Sequence, residues 1–136
     1  KASRIEISHH YGLDNFYKHG LSMIEIVNQS YCKKYLFIFK NQVHPPQFHK
    51  KKKETFLILF GKIELIITFD KKVTRMILNP GQIFTIEPMM IHEFKALSTH
   101  GGVIEEISTE SIRSDSYYLD ESISKNKSRK SMVSFY

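Results

Sequence analysis

The chain has 136 residues, a formal net charge of +6 at pH 7 and a single cysteine, Cys32. A domain of this length buries roughly two-thirds of the surface that its unfolded chain exposes. With 41% apolar and 25% charged residues, the composition is typical of one globular domain and not of a disordered chain. One cysteine excludes an internal disulfide and a thiolate cluster for structural zinc, which favours a reducing, intracellular compartment.

Membrane and nucleic-acid partners are not expected. The longest apolar run, at 56–60, is far shorter than the roughly 20 residues that span a bilayer, and no signal peptide opens the chain. We therefore expect a cytoplasmic protein, and the first residue, Lys1, suggests a domain cut from a longer chain. Basic residues cluster at 50–53 and 125–130 without any helix-turn-helix, aromatic RNA-binding or zinc-finger pattern, which favours solvated surface charge.

Short apolar and alternating stretches follow one another along the chain. A short helical turn is predicted over 13–20, ending at Gly20. Strands are predicted at 21–28, 34–39, 54–60, 62–69, 73–78, 82–88, 92–97 and 102–108. A polar tip at 70–72 makes 62–78 a hairpin, and Asn79-Pro80-Gly81 predicts the next turn.

This pattern predicts an all-β sandwich or barrel formed by a single domain, residues 1–136. Residues 1–20 would be an N-terminal arm, 21–108 the barrel, and 109–136 a C-terminal extension with a looser pattern.

Three residues at predicted strand boundaries suggest a metal site. Glu54 opens an alternating strand, so it shares a face with Phe56 and Ile58. His49 precedes it by five positions, and His92 begins a later strand. Two imidazoles and one carboxylate form the facial triad that suits Fe(II), Mn(II), Ni(II) or Zn(II). Taken singly, each of these residues is more typical of a loop histidine, a core histidine or a surface glutamate.

Two segments resemble the paired motifs of the cupins: "QFHKKKKETFLILFG" (47–61) and "PGQIFTIEPMMIHEF" (80–94). His49, Glu54 and Gly61 match the first motif in spacing, and Gly81, Pro88 and His92 match the second. The resemblance implies a single-domain cupin, a double-stranded β-helix or jelly-roll barrel. It also implies a divalent metal held by His49, Glu54 and His92.

One position departs from the cupin pattern. Gln47 stands where the first histidine of the motif belongs, and a glutamine amide oxygen is a weak ligand without the basicity of imidazole. We expect Gln47 as an optional fourth ligand. The alternative is His44, which would require Pro45 and Pro46 to fold back toward the metal.

The segment "GVIEEISTESIRSDSYYLDESI" (102–123) is similar to small sugar-related cupins allied to the D-lyxose ketol-isomerases. Related modules are found attached to, or encoded beside, sialic acid synthase-type enzymes. The resemblance implies an aldose–ketose isomerase, which needs a divalent cation and a base that moves a proton between two carbons. Glu105 and Glu106 are the candidates for the base, and parity does not decide which faces inward. Lys52 either orients a sugar hydroxyl or is simply solvated.

The C-terminal extension offers residues that suit a sugar or a homodimer contact covering the strand edges. These residues are Asp115, Tyr117, Tyr118 and Arg129. The leading hypothesis is a metal-dependent sugar isomerase or epimerase in sialic or nonulosonic acid or surface-polysaccharide biosynthesis. The alternative is a non-catalytic sugar-binding or oligomerisation module of a sialic acid synthase-type protein, which Gln47 favours. The triad alone also permits a dioxygenase.

Overall fold

The computed structural model describes residues 3–134, so the ends of the predicted arm and extension, 1–2 and 135–136, lie outside the described part. The strands are β1 (Arg4–Ser8), β2 (Leu21–Asn28), β3 (Tyr31–Ile38), β4 (Val43–Phe48), β5 (Glu54–Phe60), β6 (Ile63–Phe69), β7 (Lys72–Leu78), β8 (Ile83–Ile86), β9 (Ile91–Ala96), β10 (Gly102–Thr109), β11 (Tyr117–Tyr118) and β12 (Lys130–Ser134). The helical segments are α1 (Glu121–Lys125) and two 3₁₀ turns, Leu13–Asn15 and Arg113–Asp115. No helix within residues 3–134 is long and apolar enough to cross a membrane.

The strands form two antiparallel sheets that enclose one core. The larger sheet has the order β12-β1-β2-β3-β10-β5-β8 and the smaller one the order β11-β4-β9-β6-β7. Alternate residues of each strand point between the sheets, and the apolar ones pack into a single cluster that includes Leu36, Ile58, Leu65, Phe94 and Ile104. The all-β prediction, with a short helical segment near the N-terminus, is confirmed.

The arm adds β1 to the larger sheet, and the extension adds β12 to the larger sheet and β11 to the smaller one. β1 pairs with β2 on one side and with β12 on the other, so the two ends of the described chain lie side by side. The barrel strands predicted for 21–108 therefore continue into both flanking segments. The short helical turn expected over 13–20 is a 3₁₀ turn limited to Leu13–Asn15.

β4 is a strand that the sequence pattern did not predict. Its two prolines, Pro45 and Pro46, lack the N–H groups that a central strand uses. The structure accommodates them where the pairing of β4 with β9 shifts register, between His44 and Gln47. This strand matters for the site because Gln47 pairs directly with His92.

Gly61, the glycine of the first cupin-like motif, directly follows β5. Its φ angle is +79°, in the region that favours glycine. A Cβ atom at this position would collide with the backbone carbonyl of Gly101. The close approach packs the β5–β6 turn against the β9–β10 turn.

Candidate active site

The three predicted metal ligands meet inside the barrel. His49 follows β4, Glu54 opens β5 and His92 is the second residue of β9. Nε2 of His92 lies 3.0 Å from Oε1 of Glu54, and Nε2 of His49 lies 3.5 Å from the same atom. The three ligand atoms lie within 4.8 Å of one another, and none of the residues is more than 4% exposed.

Backbone carbonyls orient both imidazoles toward the carboxylate. Nδ1 of His49 lies 2.9 Å from the carbonyl oxygen of Asp115, and Nδ1 of His92 lies 3.1 Å from that of Met90. A carbonyl only accepts, so each Nδ1 carries a proton and each Nε2 is turned toward the carboxylate. Such contacts to the outer ring nitrogen are the usual way in which proteins fix metal-ligating histidines.

This arrangement fits a divalent cation. The two Nε2 atoms and Oε1 of Glu54 are buried without a hydrogen-bond donor. A cation placed between these three buried atoms would give each of them a partner. His49, Glu54 and His92 therefore form a group that can hold a metal ion through two imidazoles and one carboxylate.

Gln47 and His44, the two candidates for a fourth ligand, make different contacts. His44 places Nδ1 3.1 Å from the Pro45 carbonyl and Nε2 3.3 Å from the amide nitrogen of Gln47. The amide nitrogen donates, so Nε2 of His44 is occupied as an acceptor. The other amide atom of Gln47, Oε1, is buried without a partner. His44 thus holds the Gln47 amide in place, with the oxygen left for another contact.

Lys52 connects the triad to a second buried carboxylate. Its Nζ lies 2.9 Å from Oε2 of Glu54 and 3.4 Å from Oε2 of Glu106. All three residues are buried. A cavity of about 60 Å³ lies against them and is also lined by Gln47, His49 and Tyr118. Glu54 therefore uses one oxygen for the triad and the other for the ammonium group.

The charges of this cluster shift one another's pKa values. Burial alone would lower the pKa of Lys52, but the carboxylates of Glu106 and Glu54 outweigh it and raise that pKa above its usual value. Burial would raise the pKa of Glu54, yet Lys52 and the two histidines hold it well below its usual value. For Glu106 burial prevails over Lys52 and the pKa is raised. Of the two carboxylates, Glu106 is the one that takes up a proton more readily.

The structure separates the two candidate bases. Glu106 points into the barrel and is 5% exposed. Glu105 lies on the opposite face of β10 and forms an ion pair with Lys33 at 2.9 Å. The structure therefore brings Glu106 to the site and not Glu105, a choice that strand parity alone left open.

Asp115 supports the loop at 49–53, called the ligand loop because it carries His49, and it does not line the cavity. Its carboxylate accepts hydrogen bonds of 3.0–3.2 Å from the backbone N–H groups of Lys50, Lys51 and Lys52. Burial would raise the pKa of Asp115, but these bonds hold it below its usual value. Since its carbonyl also receives Nδ1 of His49, Asp115 fixes both the loop and the imidazole. The structure thus gives Asp115 a positioning role, and its predicted contact with substrate stays a prediction.

We expect Asp115→Asn to loosen the loop. The amide offers one acceptor where the carboxylate offers two, and its NH₂ group would face backbone donors. The free energy of unfolding should fall by about 1–3 kcal/mol, and affinity for Mn(II) by roughly 10- to 100-fold. Denaturant unfolding and metal titration measure the two effects. Asp70→Asn, at the exposed β6–β7 turn, is the matched control and should change neither.

Of the other three residues predicted from the extension, one lines the cavity and two do not. Tyr118 is buried, pairs with Gln47 and lines the cavity. Tyr117 stacks on Phe48 at 5.2 Å, outside the cavity. Arg129 is buried with its guanidinium 5.7 Å from the ring of Tyr118 and does not line the cavity. Only Tyr118 is therefore placed to contact a ligand directly.

Sequence reasoning missed several polar residues around the cavity. These are Ser8, Lys34, Ser111, Arg113, Ser116 and Lys130. Lys34 follows Lys33 in β3, and alternation shows that one of them faces inward without showing which. The others come from the arm, the extension and the segment after β10, whose position depends on long-range pairing.

His10 is a buried imidazole beside this network. It packs edge-on against His44 at 4.9 Å and tilted against Tyr118 at 5.4 Å, and neither ring nitrogen makes a hydrogen bond. Burial, reinforced by the charge of Lys130, lowers the pKa of His10 to about 4. The ring is therefore neutral in the folded protein near pH 7.

This lowered pKa predicts acid sensitivity. Between pH 6.5 and 4 the unfolded chain binds a proton at His10 that the folded chain does not, so stability falls as pH falls. At pH 5 His10 should cost about 2 kcal/mol relative to pH 7. We expect His10→Phe, which keeps the ring contacts, to remove this loss in denaturant unfolding at the two pH values. An unchanged pH difference, equal to that of the exposed control His100→Phe, would contradict the assignment.

None of the protein-family models matches the chain. Two of the relatives that match it in sequence are sugar isomerases. The D-lyxose/D-mannose isomerase of Thermosediminibacter oceani is 30% identical over 83% of this chain and 75% of that protein. The D-lyxose ketol-isomerase of a Thermofilum species is 28% identical over 88% of this chain and 79% of that protein.

Solved structures show the same architecture. A variant of the L-ribose isomerase of Acinetobacter sp. DL28, solved with L-ribose, superposes with a TM-score of 0.77 at 14% identity, over 88% of this chain and 82% of that one. This likeness confirms the predicted cupin jelly-roll fold. Together with the relative that is 30% identical, it shows that the chain belongs to the D-lyxose/D-mannose isomerase family of cupin proteins.

Proposed function

We propose that this protein is a metal-dependent aldose–ketose isomerase. The observation that carries the proposal is the buried series Glu54–Lys52–Glu106, which places a carboxylate outside the metal triad but within the same cavity. An isomerase needs such a group to move a proton. The activities of the two relatives, one on D-lyxose and D-mannose and the other on D-lyxose, support a sugar as substrate.

Each residue has a defined part in this reaction. A divalent cation at the triad, when bound, polarises the carbonyl and the neighbouring hydroxyl oxygen of the sugar. Glu106 takes the proton from C2 of the aldose and returns it to C1, while the hydroxyl proton moves to the former carbonyl oxygen. No atom is gained or lost. Lys52 keeps Glu106 in place through its 3.4 Å contact and stabilises negative charge that develops on the sugar oxygens.

The contacts of Gln47 support its role as a fourth protein ligand of the metal ion. Its oxygen is buried without a donor, and its amide nitrogen is held by His44. We propose that Gln47 binds the metal ion through Oε1, as a weaker ligand than an imidazole. His44 contributes to the site only by holding the Gln47 amide in place.

The test of the function combines metal content with turnover. Protein stripped by a chelator is reloaded with Mn(II), Fe(II), Ni(II) or Zn(II), and bound metal is measured by elemental analysis. We expect one ion per chain and conversion of D-lyxose, D-mannose or L-ribose to the 2-ketose. Gln47→Ala should bind the same metals with roughly tenfold lower affinity. Absence of stoichiometric metal under all four conditions would rule out the isomerase.

The second candidate is a non-catalytic sugar-binding or oligomerisation module. The observation that favours it is Gln47, which replaces an imidazole in the ligand set. A chain that holds metal and binds sugars but converts none of them would support this candidate. The setting in sialic acid biosynthesis, a cytoplasmic location and a homodimer remain predictions from the sequence.

A further inference from the structure

The cavity at the triad is too small for a whole sugar. Its volume of about 60 Å³ accommodates a few water molecules. A second cavity of about 290 Å³ adjoins it, and both are lined by Lys34, Ser111, Arg113 and Lys130. A sugar whose C1 and C2 lie at the triad therefore extends its distal carbons into the second cavity.

Charged residues lie in direct register across four strands beside this second cavity. Arg4 on β1 pairs with Glu25 on β2, Glu25 with Lys34 on β3, and Lys34 with Glu106 on β10. Opposite residues of neighbouring strands point to the same face. The row therefore leads from the exposed Arg4 to the buried Glu106, the proposed base.

The charge of the second cavity is positive. Four cationic side chains line it, Arg4, Lys34, Arg113 and Lys130, against two carboxylates, Glu6 and Glu25. Only Lys130 forms an ion pair with one of these carboxylates, at 2.6 Å from Glu6. Arg4 and Arg113 have no ion pair within the described residues. Arg113 donates one hydrogen bond, at 3.1 Å, to the Lys127 carbonyl, and the other N–H groups of the two guanidinium groups remain available to an anion.

Lys34 is the most unusual of the four. It is 91% buried, and its nearest polar partner is the hydroxyl of Ser111 at 3.0 Å. No carboxylate oxygen within residues 3–134 lies within 4.0 Å of its Nζ. Burying an ammonium group without a paired anion is costly. Ser111 is itself held on both sides by the amide of Asn28, so its hydroxyl has a fixed position beside the lysine.

We propose that the substrate of this site is an anionic sugar, whose phosphate or carboxylate group at the end distal to the reacting carbons is bound by Lys34, Arg113 and Arg4. This inference rests on the proposed function and narrows its substrate class. Guanidinium groups suit such an anion because they donate two parallel hydrogen bonds to it. The carboxylates Glu6 and Glu25 disfavour a second anion at the outer end of the cavity.

The test compares matched sugars on the Mn(II)-loaded chain. D-mannose, D-mannose 6-phosphate and D-mannuronate share the reacting end and differ in the distal group. We expect the KM of a charged sugar to lie roughly tenfold below that of D-mannose. Arg113→Gln should raise it roughly tenfold and raise the KM of D-mannose, which lacks the anionic group, by a clearly smaller factor. Preference for the 6-phosphate or for the uronate identifies the anion.

The exposed Arg75 on β7, paired with Glu64, gives the matched control Arg75→Gln, which should change none of these values. Raising NaCl from about 0.01 M to about 0.5 M should reduce the difference between charged and neutral sugars. Equal KM values for the three sugars, with no effect of Arg113→Gln or Arg4→Gln, would overturn the anionic substrate and leave the isomerase intact.

Calorimetric titration of metal-free protein with inorganic phosphate separates the two proposals. Binding that Arg113→Gln abolishes, in a chain that converts no sugar, would retain the anion site and remove the isomerase. Absence of phosphate binding in a chain that prefers D-mannose would remove the anion site alone.

Discussion

Glu54→Gln is expected to abolish both metal retention and turnover. The substitution removes the only charged ligand of the triad and one of the two carboxylates that neutralise Lys52. Loss of the stabilisation supplied by a bound cation should lower turnover by at least about 1,000-fold. The free energy of unfolding of the metal-free chain should fall by about 3 kcal/mol, since Lys52 keeps only Glu106.

Elemental analysis after reloading, initial rates with a pentose and hexose panel, and denaturant unfolding measure these three effects. Glu64→Gln is the matched control, because Glu64 lies on β6 and pairs with Arg75 at 2.9 Å, away from the triad. Turnover by Glu54→Gln at the wild-type rate would refute the metal-dependent mechanism.

Glu106→Gln is expected to separate metal binding from chemistry. The triad keeps all three ligands, so the variant should hold one metal ion per chain. Without a carboxylate to carry the proton between C1 and C2, turnover should fall by roughly 10²- to 10⁴-fold. Exchange of the C2 proton of the sugar with deuterated solvent, followed by NMR, should fall to the same extent.

Glu105→Gln is the control, one residue away on the outer face of β10, where it loses only the pair with Lys33. It should match the wild type in rate and in metal content. If Glu105→Gln lost activity and Glu106→Gln kept it, the assignment of the base would be reversed.

Two of the three triad residues could be predicted from local spacing, whereas His92 was predicted from its place in the second cupin-like motif. His49 and Glu54 lie on either side of one short loop, and alternation along β5 defines the face of Glu54. The choice between Glu105 and Glu106 could not be predicted, because both faces of β10 carry apolar residues. Only the pairing of β10 between β3 and β5 shows which face is internal.

Other parts of the site depend on contacts between distant segments. β4 contains two prolines that oppose a strand assignment, and only its pairing with β9 stabilises it as one. Asp115 and Lys34 are polar residues whose roles follow from what they face: backbone N–H groups 63–65 positions away for Asp115, and a cavity for Lys34. The sequence pattern around Asp115 and around Lys34 does not indicate these roles.

The contacts of Asp115 with His49 and with the ligand loop couple the extension to the proposed metal site. The residue that fixes His49 belongs to the C-terminal extension, so ordering of that segment and uptake of metal are reciprocally linked equilibria. Any factor that favours the docked extension tightens metal binding, and a bound metal ion protects the extension from proteolysis by the same free energy. Residues 109–134 thus support the proposed metal site through Asp115, although they contribute none of its three ligands.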